Sequence, residues 1–209
     1  MNTQTPMASH AIKICRGATG CPHAVLTQDP SAELEAVLAA AGWPRFLAGQ
    51  IHPIRHHHQF RLVVSCCPNG CSQPHIADFA LVATARIGVD AQACSACGQC
   101  LQACAEGALR LEQAIALDPL RCLGCAACVQ VCTSTALHVR DTAYRVLLGG
   151  KLGRHPRLAH ELGTFSLPAA LSILERTLDV FMRNYRPGLR LGELVDKTGQ
   201  KEFDRLIRP

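Results

Sequence analysis

The sequence predicts an α+β protein in which an α/β host domain is interrupted by a small cysteine-rich module. The host comprises residues 1–84 and 142–209, and the module comprises residues 85–141. Two observations predict this arrangement: a cysteine motif recurs once after 28 residues, and helix and strand signals alternate on both sides of it. Hydrophobic residues make up 48% of the 209 residues, which is enough for a packed core.

The host segment before the module carries alternating helix and strand signals. Ser31 suits the N-cap of the first helix, and Gly42 and Pro44 are expected to end it. Runs of β-branched and apolar residues predict two strands, the first of which ends at a cysteine-rich turn. In chain order we expect a helix at 31–41, a strand at 60–65, a short helix at 76–80 and a strand at 80–85.

The host segment after the module is expected to contain one strand and two helices. Leu171, Leu174 and Leu178 recur at helical spacing and therefore share one apolar face. Pro168 suits the first turn of the same helix. We expect a strand at 144–148, a glycine- and base-rich loop at 149–157, an amphipathic helix at 168–185 and a final helix at 191–206.

Eight of the 13 cysteines form the repeat inside the module. Asp90 and Asp118 each precede a run spaced Cys-x2-Cys-x2-Cys-x3-Cys. A tight loop with this spacing aims three thiolates at three irons of a cubane, and in two-cluster ferredoxins the fourth cysteine ligates the other cluster. The expected [4Fe–4S] ligand sets are Cys94, Cys97, Cys100 and Cys132 for one cluster, and Cys122, Cys125, Cys128 and Cys104 for the other.

Both cysteine runs resemble the bacterial dicluster ferredoxin motif over residues 88–140. That family usually has proline after the fourth cysteine, whereas Ala105 and Thr133 stand there in this chain. The change affects local stiffness or potential and removes no ligand. The alternative is a structural zinc site or a set of free thiols, but zinc sites favour two separated cysteine pairs over two runs of four.

A second cysteine constellation lies outside the module, spaced Cys-x5-Cys and then Cys-x3-Cys. Both pairs lie in turns rich in glycine and proline, where the backbone can approach a bulky cluster and donate hydrogen bonds to its sulfurs. The alternative is a set of buried core thiols. The four residues are Cys15, Cys21, Cys67 and Cys71.

These spacings, the words Cys-Pro-Asn-Gly-Cys and Ile-Ala-Asp-Phe-Ala-Leu-Val, and the loop at 149–157 resemble the sirohaem sulfite and nitrite reductases of the dissimilatory and anaerobic type. The resemblance implies the [4Fe–4S] half-domain of that family with an inserted ferredoxin domain. It implies a third [4Fe–4S] cluster on Cys15, Cys21, Cys67 and Cys71, with Cys71 as the bridge to a sirohaem iron. Cys66 is then a spare, buried thiol.

Five basic residues lie beside motifs of that family and are candidates for contacts to an anion or to sirohaem carboxylates. The alternative is a solvated basic loop. The adjacent histidines at 56–58 are expected to form a polar connection and not a metal site, because neighbouring side chains of an extended segment point in opposite directions. The five candidates are Arg16, Lys151, Arg154, His155 and Arg157.

The formal charge of +5 does not indicate nucleic-acid binding. Three cubanes with their thiolates each contribute about −2, which brings the total close to −1. No signal peptide and no apolar run of membrane-spanning length is visible, so we expect a cytoplasmic protein without membrane insertion. In a reducing cytoplasm, clustered cysteines are interpreted as metal ligands.

The sequence leaves three functions open. Only 14 residues precede Cys15, so the other half of the family's catalytic unit is expected from elsewhere. Under the first function, the chain is an electron carrier that passes electrons through up to three [4Fe–4S] clusters to a partner redox enzyme. Under the second, it is a sirohaem-dependent sulfite or nitrite reductase subunit whose missing half comes from another chain or from a second copy of itself. The third is a maturation or scaffold subunit.

Overall fold

The computed structural model describes residues 7–208 and has a five-stranded mixed sheet at its centre. The strand order is β1-β2-β3-β6-β7, and β4 pairs with β5 in a separate two-stranded sheet. This arrangement confirms the predicted α+β class. The strands are β1 (His10–Ile14), β2 (Phe60–Ser65), β3 (Phe79–Val89), β4 (Leu109–Leu111), β5 (Ile115–Leu117), β6 (Leu137–Leu148) and β7 (His160–Phe165).

Seven helices accompany the sheets within the described residues. Helices α1, α2 and α5 contact one another and cover one face of the large sheet with the main hydrophobic core. Trp43 and Phe181 stack at the centre of that core, with ring centroids 5.6 Å apart. The helices are α1 (Ser31–Ala40), α2 (Trp43–Gln50), α3 (Gln99–Ala103), α4 (Ala127–Gln130), α5 (Leu167–Arg183), α6 (Leu191–Thr198) and α7 (Gln200–Ile207).

Strands β1, β2 and β3 are parallel, so their carboxyl ends share one edge of the sheet. Cys15 directly follows β1, and Cys66 and Cys67 directly follow β2. The backbone N–H of Cys15 donates to the carbonyl of Val64 at 3.0 Å, which extends the pairing of the two strands by one residue. We call this edge the cysteine edge.

An antiparallel ribbon of β3 and β6 connects the large sheet to residues 90–136. Its register runs from Phe79 opposite Leu148 to Val89 opposite Leu137, with one irregularity between Arg86 and Ile87. Beyond the large sheet, the ribbon packs on a second small core that the residues between its strands complete. The partition at residues 84/85 and 141/142 stays a prediction, since both strands run across those points.

Backbone conformation follows the 28-residue repeat. Three pairs of equivalent positions adopt positive φ: Ala96 with Gly124, Gly98 with Ala126, and Gly107 with Thr135. Each pair includes one glycine and one residue with a side chain, so the left-handed conformation is imposed by the shared fold and not by composition alone.

Two backbone hydrogen bonds also occur at equivalent positions of the two repeats. Asp90 N–H donates to the carbonyl of Ala136 at 2.7 Å, and Asp118 N–H donates to the carbonyl of Ala108 at 2.8 Å. Each bond joins the start of one repeat to the segment that follows the four-cysteine run of the other repeat. The two cysteine runs are therefore held in equivalent positions around one core.

Several elements differ from the sequence prediction. The prediction of a helix at 76–80 is wrong, because a single 3-10 turn at Pro74–Ile76 precedes β3, which begins at Phe79. The predicted stop at Gly42 also starts α2, since Gly42 adopts φ 75 and Pro44 occupies the first turn of the new helix. The predicted final helix breaks at Gly199, with φ 85, into α6 and α7.

Among residues 7–208, no helix combines the length and the apolar character that a membrane crossing requires. The longest is α5, and its apolar face is buried in the main core while its other face carries Arg176 and Arg183.

Gly124→Ala is expected to detach the second cysteine run from the ribbon. A Cβ there would lie 2.1 Å from Thr84 Oγ1 and 2.4 Å from the carbonyl oxygen of Ala85. Overpacking of this kind costs about 1–3 kcal/mol, added to the strain of the left-handed conformation. The measurement is thermal unfolding under anaerobic conditions.

Gly98→Ala is the matched control. Gly98 also has positive φ, but a Cβ there meets nothing within 4 Å, and Ala126 already occupies the equivalent position of the other repeat. We expect a loss of only about 1 kcal/mol. Equal losses in melting temperature for the two variants would contradict the proposed close approach.

Candidate iron–sulfur centres

Five cysteines surround a cavity of about 500 Å³ at the cysteine edge. The turns after β1 and β2 face each other there because the strands are parallel neighbours. Gly17 permits the close approach, since a Cβ on it would lie 2.2 Å from Cys66 Cβ. The cysteines are Cys15, Cys21, Cys66, Cys67 and Cys71.

Backbone hydrogen bonds prepare the sulfur of Cys15 as a thiolate. The N–H groups of Gly17 and Cys66 donate to Cys15 Sγ at 3.3 and 3.1 Å. Burial alone would raise the pKa of Cys15, but the backbone donors at Cys66 and Gly17 and the Cys66 thiol outweigh it, so the pKa is lowered. Donors aimed at a thiolate sulfur are a usual feature of iron–sulfur ligands.

Cys71 occupies the exposed mouth of the same cavity. Asn69 Nδ2 donates to its sulfur at 2.9 Å, which fixes the side chain in the turn. Cys67 is more enclosed, and burial is the main cause that raises the pKa of its thiol. The four sulfurs of the predicted third cluster thus line one cavity, with the predicted bridging residue outermost.

Cys66 differs from its neighbours. It is buried, with 2% exposure, and burial together with the hydrogen bond that its thiol makes to Cys15 raises its pKa to about 12. Its thiol therefore stays protonated at neutral pH and acts as a donor to Cys15. The burial of Cys66 was predicted, and its place outside the ligand set stays a prediction.

The structure brings Cys94, Cys97, Cys100 and Cys132 together around one cavity, although Cys132 lies in the other repeat. Leu137 N–H donates to Cys132 Sγ at 3.5 Å, and this bond is the main reason that the pKa of Cys132 is lowered. The four cysteines of the crossed set that the ferredoxin motif implies thus line one cavity.

The second crossed set lines a cavity of about 540 Å³. Ala108 N–H donates to Cys104 Sγ at 3.3 Å, and Gly124 N–H donates to Cys122 Sγ at 3.4 Å. Burial raises the pKa of Cys128 to about 11. The same cavity is lined by Cys21, Cys67 and Cys71 from the cysteine edge, so two of the three predicted sites open onto one space. The set itself is Cys104, Cys122, Cys125 and Cys128.

The donor chemistry of these three sets fits iron–sulfur clusters. Each set offers four soft sulfur ligands that line one cavity, and each set contains at least one sulfur that accepts a backbone N–H. A single tetrahedral zinc with Zn–S bonds of about 2.3 Å would draw its sulfurs much closer together. Within residues 7–208, no three His, Cys, Asp or Glu side chains converge as a site for one metal ion.

The five predicted basic contacts do not come together. Arg16 is exposed and lines the cavity of the cysteine edge. Lys151 pairs with Glu193 at 2.5 Å and Arg157 pairs with Asp196 at 2.9 Å, so both are engaged by α6.

The remaining two basic candidates, Arg154 and His155, line a different cavity at the opposite edge of the sheet. Lys151 contributes to the same cavity. Sequence reasoning missed Arg190, which also lines it and pairs with the buried carboxylate of Asp78. The only available signal was Asp78 itself, a carboxylate inside an apolar strand-like run, which requires a cationic partner when buried.

The histidines at 56–58 form a single 3-10 turn and not the extended segment on which the expectation of opposed side chains rested. His56 accepts from Arg61 Nη2 at 3.1 Å, and His58 Nδ1 accepts from the backbone N–H of Arg55. The rings of His57 and His58 contact each other edge-on, with centroids 4.1 Å apart, and the assignment of the three residues as a polar connection stays a prediction.

The fold and its thiolate sites define an iron–sulfur domain of a redox protein. The family model described as "Nitrite and sulphite reductase 4Fe-4S domain" matches residues 8–209, so the chain belongs to that family. The expected resemblance to sulfite and nitrite reductases is thereby confirmed.

Curated relatives of the chain are sulfite reductases. It is 31% identical over 149 residues to the coenzyme F420-dependent sulfite reductase of Methanocaldococcus jannaschii, covering 70% of this chain and 24% of that protein. It is 31% identical over 178 residues to a subunit of the anaerobic sulfite reductase of Salmonella typhimurium, covering 80% of this chain and 52% of that relative. The chain thus spans about a quarter and about half of these relatives.

A solved structure shares the fold. The crystal structure of dissimilatory sulfite reductase I superimposes with a TM-score of 0.67 at 18% identity, covering 96% of this chain and 53% of that one. At this identity the likeness concerns the fold alone, and it agrees with the predicted half-domain architecture.

Alkylation tests whether Cys66 is as inaccessible as its buried position implies. In the natively purified, iron-loaded protein we expect iodoacetamide to leave all 13 cysteines unmodified, 12 because iron holds them and Cys66 because its buried thiol stays protonated. After anaerobic unfolding with a chelator, all 13 should react. Peptide mapping by mass spectrometry checks this, and rapid labelling of Cys66 in the native protein would contradict its assignment.

Proposed function

We propose that the chain is the iron–sulfur electron-transfer component of a sulfite-reducing enzyme and holds three [4Fe–4S] clusters on its three cysteine sets. Family membership supports the iron–sulfur class, and the curated sulfite reductases support the reaction. Bound clusters of this kind supply one-electron carriers whose potentials depend on net charge, solvent exposure and hydrogen bonds to sulfur. A reducing cytoplasm suits so many thiolates.

One observation carries the proposal: two of the cysteine sets open onto one cavity. Cys21, Cys67 and Cys71 belong to the cysteine edge, whereas Cys104 and Cys125 belong to the module, and all five line the same space of about 540 Å³. A module that served only to stabilise the fold would have no need to face the reductase-type set. Facing sets are what a route for electrons requires.

The third set extends the row. Cys94 and Cys100 of the outer set pack on the same small core as Cys104 and Cys122 of the middle set. The row therefore runs from the outer set through the middle set to the cysteine edge. In this row, the residues of the chain hold thiolates in place and donate N–H groups to them.

The exposed end of the row at Cys71 is the surface where a partner reductase subunit would complete the enzyme. The chain spans about a quarter and about half of its curated relatives, and the proposal takes the remainder of a catalytic unit from another chain or a second copy. Electrons would enter at the module and leave at the cysteine edge, or follow the reverse direction.

A second candidate function is a sirohaem-dependent sulfite or nitrite reductase subunit. The observation that favours it is the position of Cys71 at the open mouth of its cavity, which Lys13 and Arg16 also line. An exposed thiolate beside two cations suits a bridge to an iron whose macrocycle carries carboxylates. In this case Cys71 would serve the cluster and the haem together.

Iron counting tests the number of clusters. Wild-type protein purified anaerobically should contain about 12 iron and 12 acid-labile sulfide per chain. Cys67→Ser should reduce both to about eight, because it removes a ligand of the third set only. The electron paramagnetic resonance signals of the reduced module should survive.

Cys66→Ser is the matched control, because it changes the adjacent cysteine that is not a predicted ligand. Its iron content should stay at about 12 per chain. If Cys67→Ser keeps its full iron content, or if Cys66→Ser loses four irons, the assignment of the third set is wrong.

Pigment extraction distinguishes the two functions. From cells able to make sirohaem, we expect the chain purified alone to yield iron–sulfur absorption and no extractable sirohaem. Stoichiometric sirohaem in the wild-type chain would favour the reductase subunit over the electron carrier. In that case Cys71→Ala should lose the sirohaem while the signals of the module persist.

A further inference from the structure

The cavity lined by Arg154 and His155 lies at the edge of the sheet opposite the cysteine edge. It measures about 680 Å³, a volume typical of small-molecule sites, and no cysteine of the described residues lines it. Gln59 and Phe60 at the start of β2 and Asp78 just before β3 form its base. Since β2 has six residues, about 20 Å of strand separates this cavity from the cysteine edge.

Positive charge dominates the lining. Lys151, Arg154 and Arg190 face the cavity, and Asp78 is the one carboxylate among the described lining residues. The carboxylate of Asp78 already has two partners, since it accepts hydrogen bonds from Arg190 Nη2 and from the backbone N–H of Arg61. Arg154 and His155 make no ion pair or side-chain hydrogen bond with any of residues 7–208. Their donors are available to a ligand.

The loop that carries Arg154 is held at both ends. Lys151 and Arg157 exchange backbone hydrogen bonds of 2.9 Å in each direction, which closes the loop at its base. Their side chains pair with Glu193 and Asp196 of α6. A solvated surface loop would not need two ion pairs and a closed base, whereas a loop that positions its tip over a cavity does.

His58 also lines the cavity and carries a hydrogen-bond donor. Its Nδ1 accepts from the backbone N–H of Arg55 at 3.1 Å, so in the neutral ring the proton resides on Nε2. Burial lowers the pKa of His58, and the charges of His57, Arg55 and Arg190 lower it further. The lowered pKa favours the neutral ring. Neutral His58 therefore offers an Nε2–H donor near the cationic loop.

The remaining wall is apolar. Tyr185 is half-buried and stands edge-on to Phe181, with ring centroids 5.5 Å apart. Leu152, which also lines the cavity, is 57% exposed. An oxyanion alone would fill only part of such a cavity, so its occupant has an apolar or planar body beside its charged group.

We propose that this cavity is a binding site for a small molecule that carries a phosphate or carboxylate group and an apolar body. Arg154 and His155 bind the oxyanion from the loop, His58 donates to it from the turn at 56–58, and the body lies against Tyr185 and Leu152. Lys151 and Arg190 add charge while their ion pairs hold the walls in place. The site is independent of the clusters and of the partner surface at Cys71.

Binding of two simple probes tests the site. Isothermal titration calorimetry of the full-length, anaerobically purified chain with pyrophosphate and with citrate should show saturable binding of at least one probe at one site per chain. Low ionic strength avoids screening of the cationic groups. Tighter pyrophosphate binding assigns the site to phosphates, and tighter citrate binding assigns it to carboxylates.

Two variants and a control locate the binding. Arg154→Ala should lower the affinity for the tighter-binding probe about tenfold or more, as expected for the loss of a charge-assisted hydrogen bond. His58→Ala should lower the same affinity several-fold. Arg140→Ala removes an exposed arginine of β6 that does not line the cavity, and should leave the affinity unchanged.

The proposal fails if neither probe binds saturably to the wild-type chain. It also fails if Arg154→Ala and Arg140→Ala weaken binding equally, since that result would indicate general attraction to a basic surface. Circular dichroism of each variant confirms the fold, and a misfolded Arg154→Ala would leave His58→Ala to decide between specific and general binding.

Discussion

The pairing of β3 with β6 is the constraint on which the rest of the structure depends. Eleven residue pairs join these strands from Phe79 opposite Leu148 to Val89 opposite Leu137. At one end both strands are central members of the large sheet, and at the other they form the floor of the small core under the cysteine repeat. One hydrogen-bonded ribbon therefore fixes the module relative to the host.

The close contact of the module with the ribbon determines which way the second cysteine run faces. Gly124 lies against Thr84 and Ala85 of β3, and its N–H donates to Cys122 while its carbonyl accepts from Ala85 N–H at 2.9 Å. Cys122 and its neighbours thus turn toward the cysteine edge, and Cys67 lies across the shared cavity from them. Burial without polar partners would be costly there, and the backbone donors to these sulfurs offset it.

Sequence reasoning was most successful where function restricts spacing and least successful where tertiary contacts decide. The cysteine spacings, together with the resemblances to ferredoxins and to sulfite reductases, predicted three groupings, and each grouping lines a cavity. Strand β1, with only five residues, was missed, since its alternating pattern gains meaning only beside β2. Gly42 was interpreted as an end, yet its left-handed conformation also turns the chain into α2, whose Trp43 enters the core.

The two edges of the sheet separate two kinds of chemistry. At the carboxyl ends of β1 and β2, thiolates gather where turns rich in glycine allow the backbone to approach closely, as at Gly17. At the opposite edge, Asp78 is buried before β3 and draws Arg190 inward, and the charged loop after β6 closes over the same region. A ligand at that edge would lie about 20 Å from the cysteine edge, beyond direct contact with any predicted cluster ligand there. Any influence on electron transfer would have to pass through the sheet, whose strands β2 and β3 connect both edges directly.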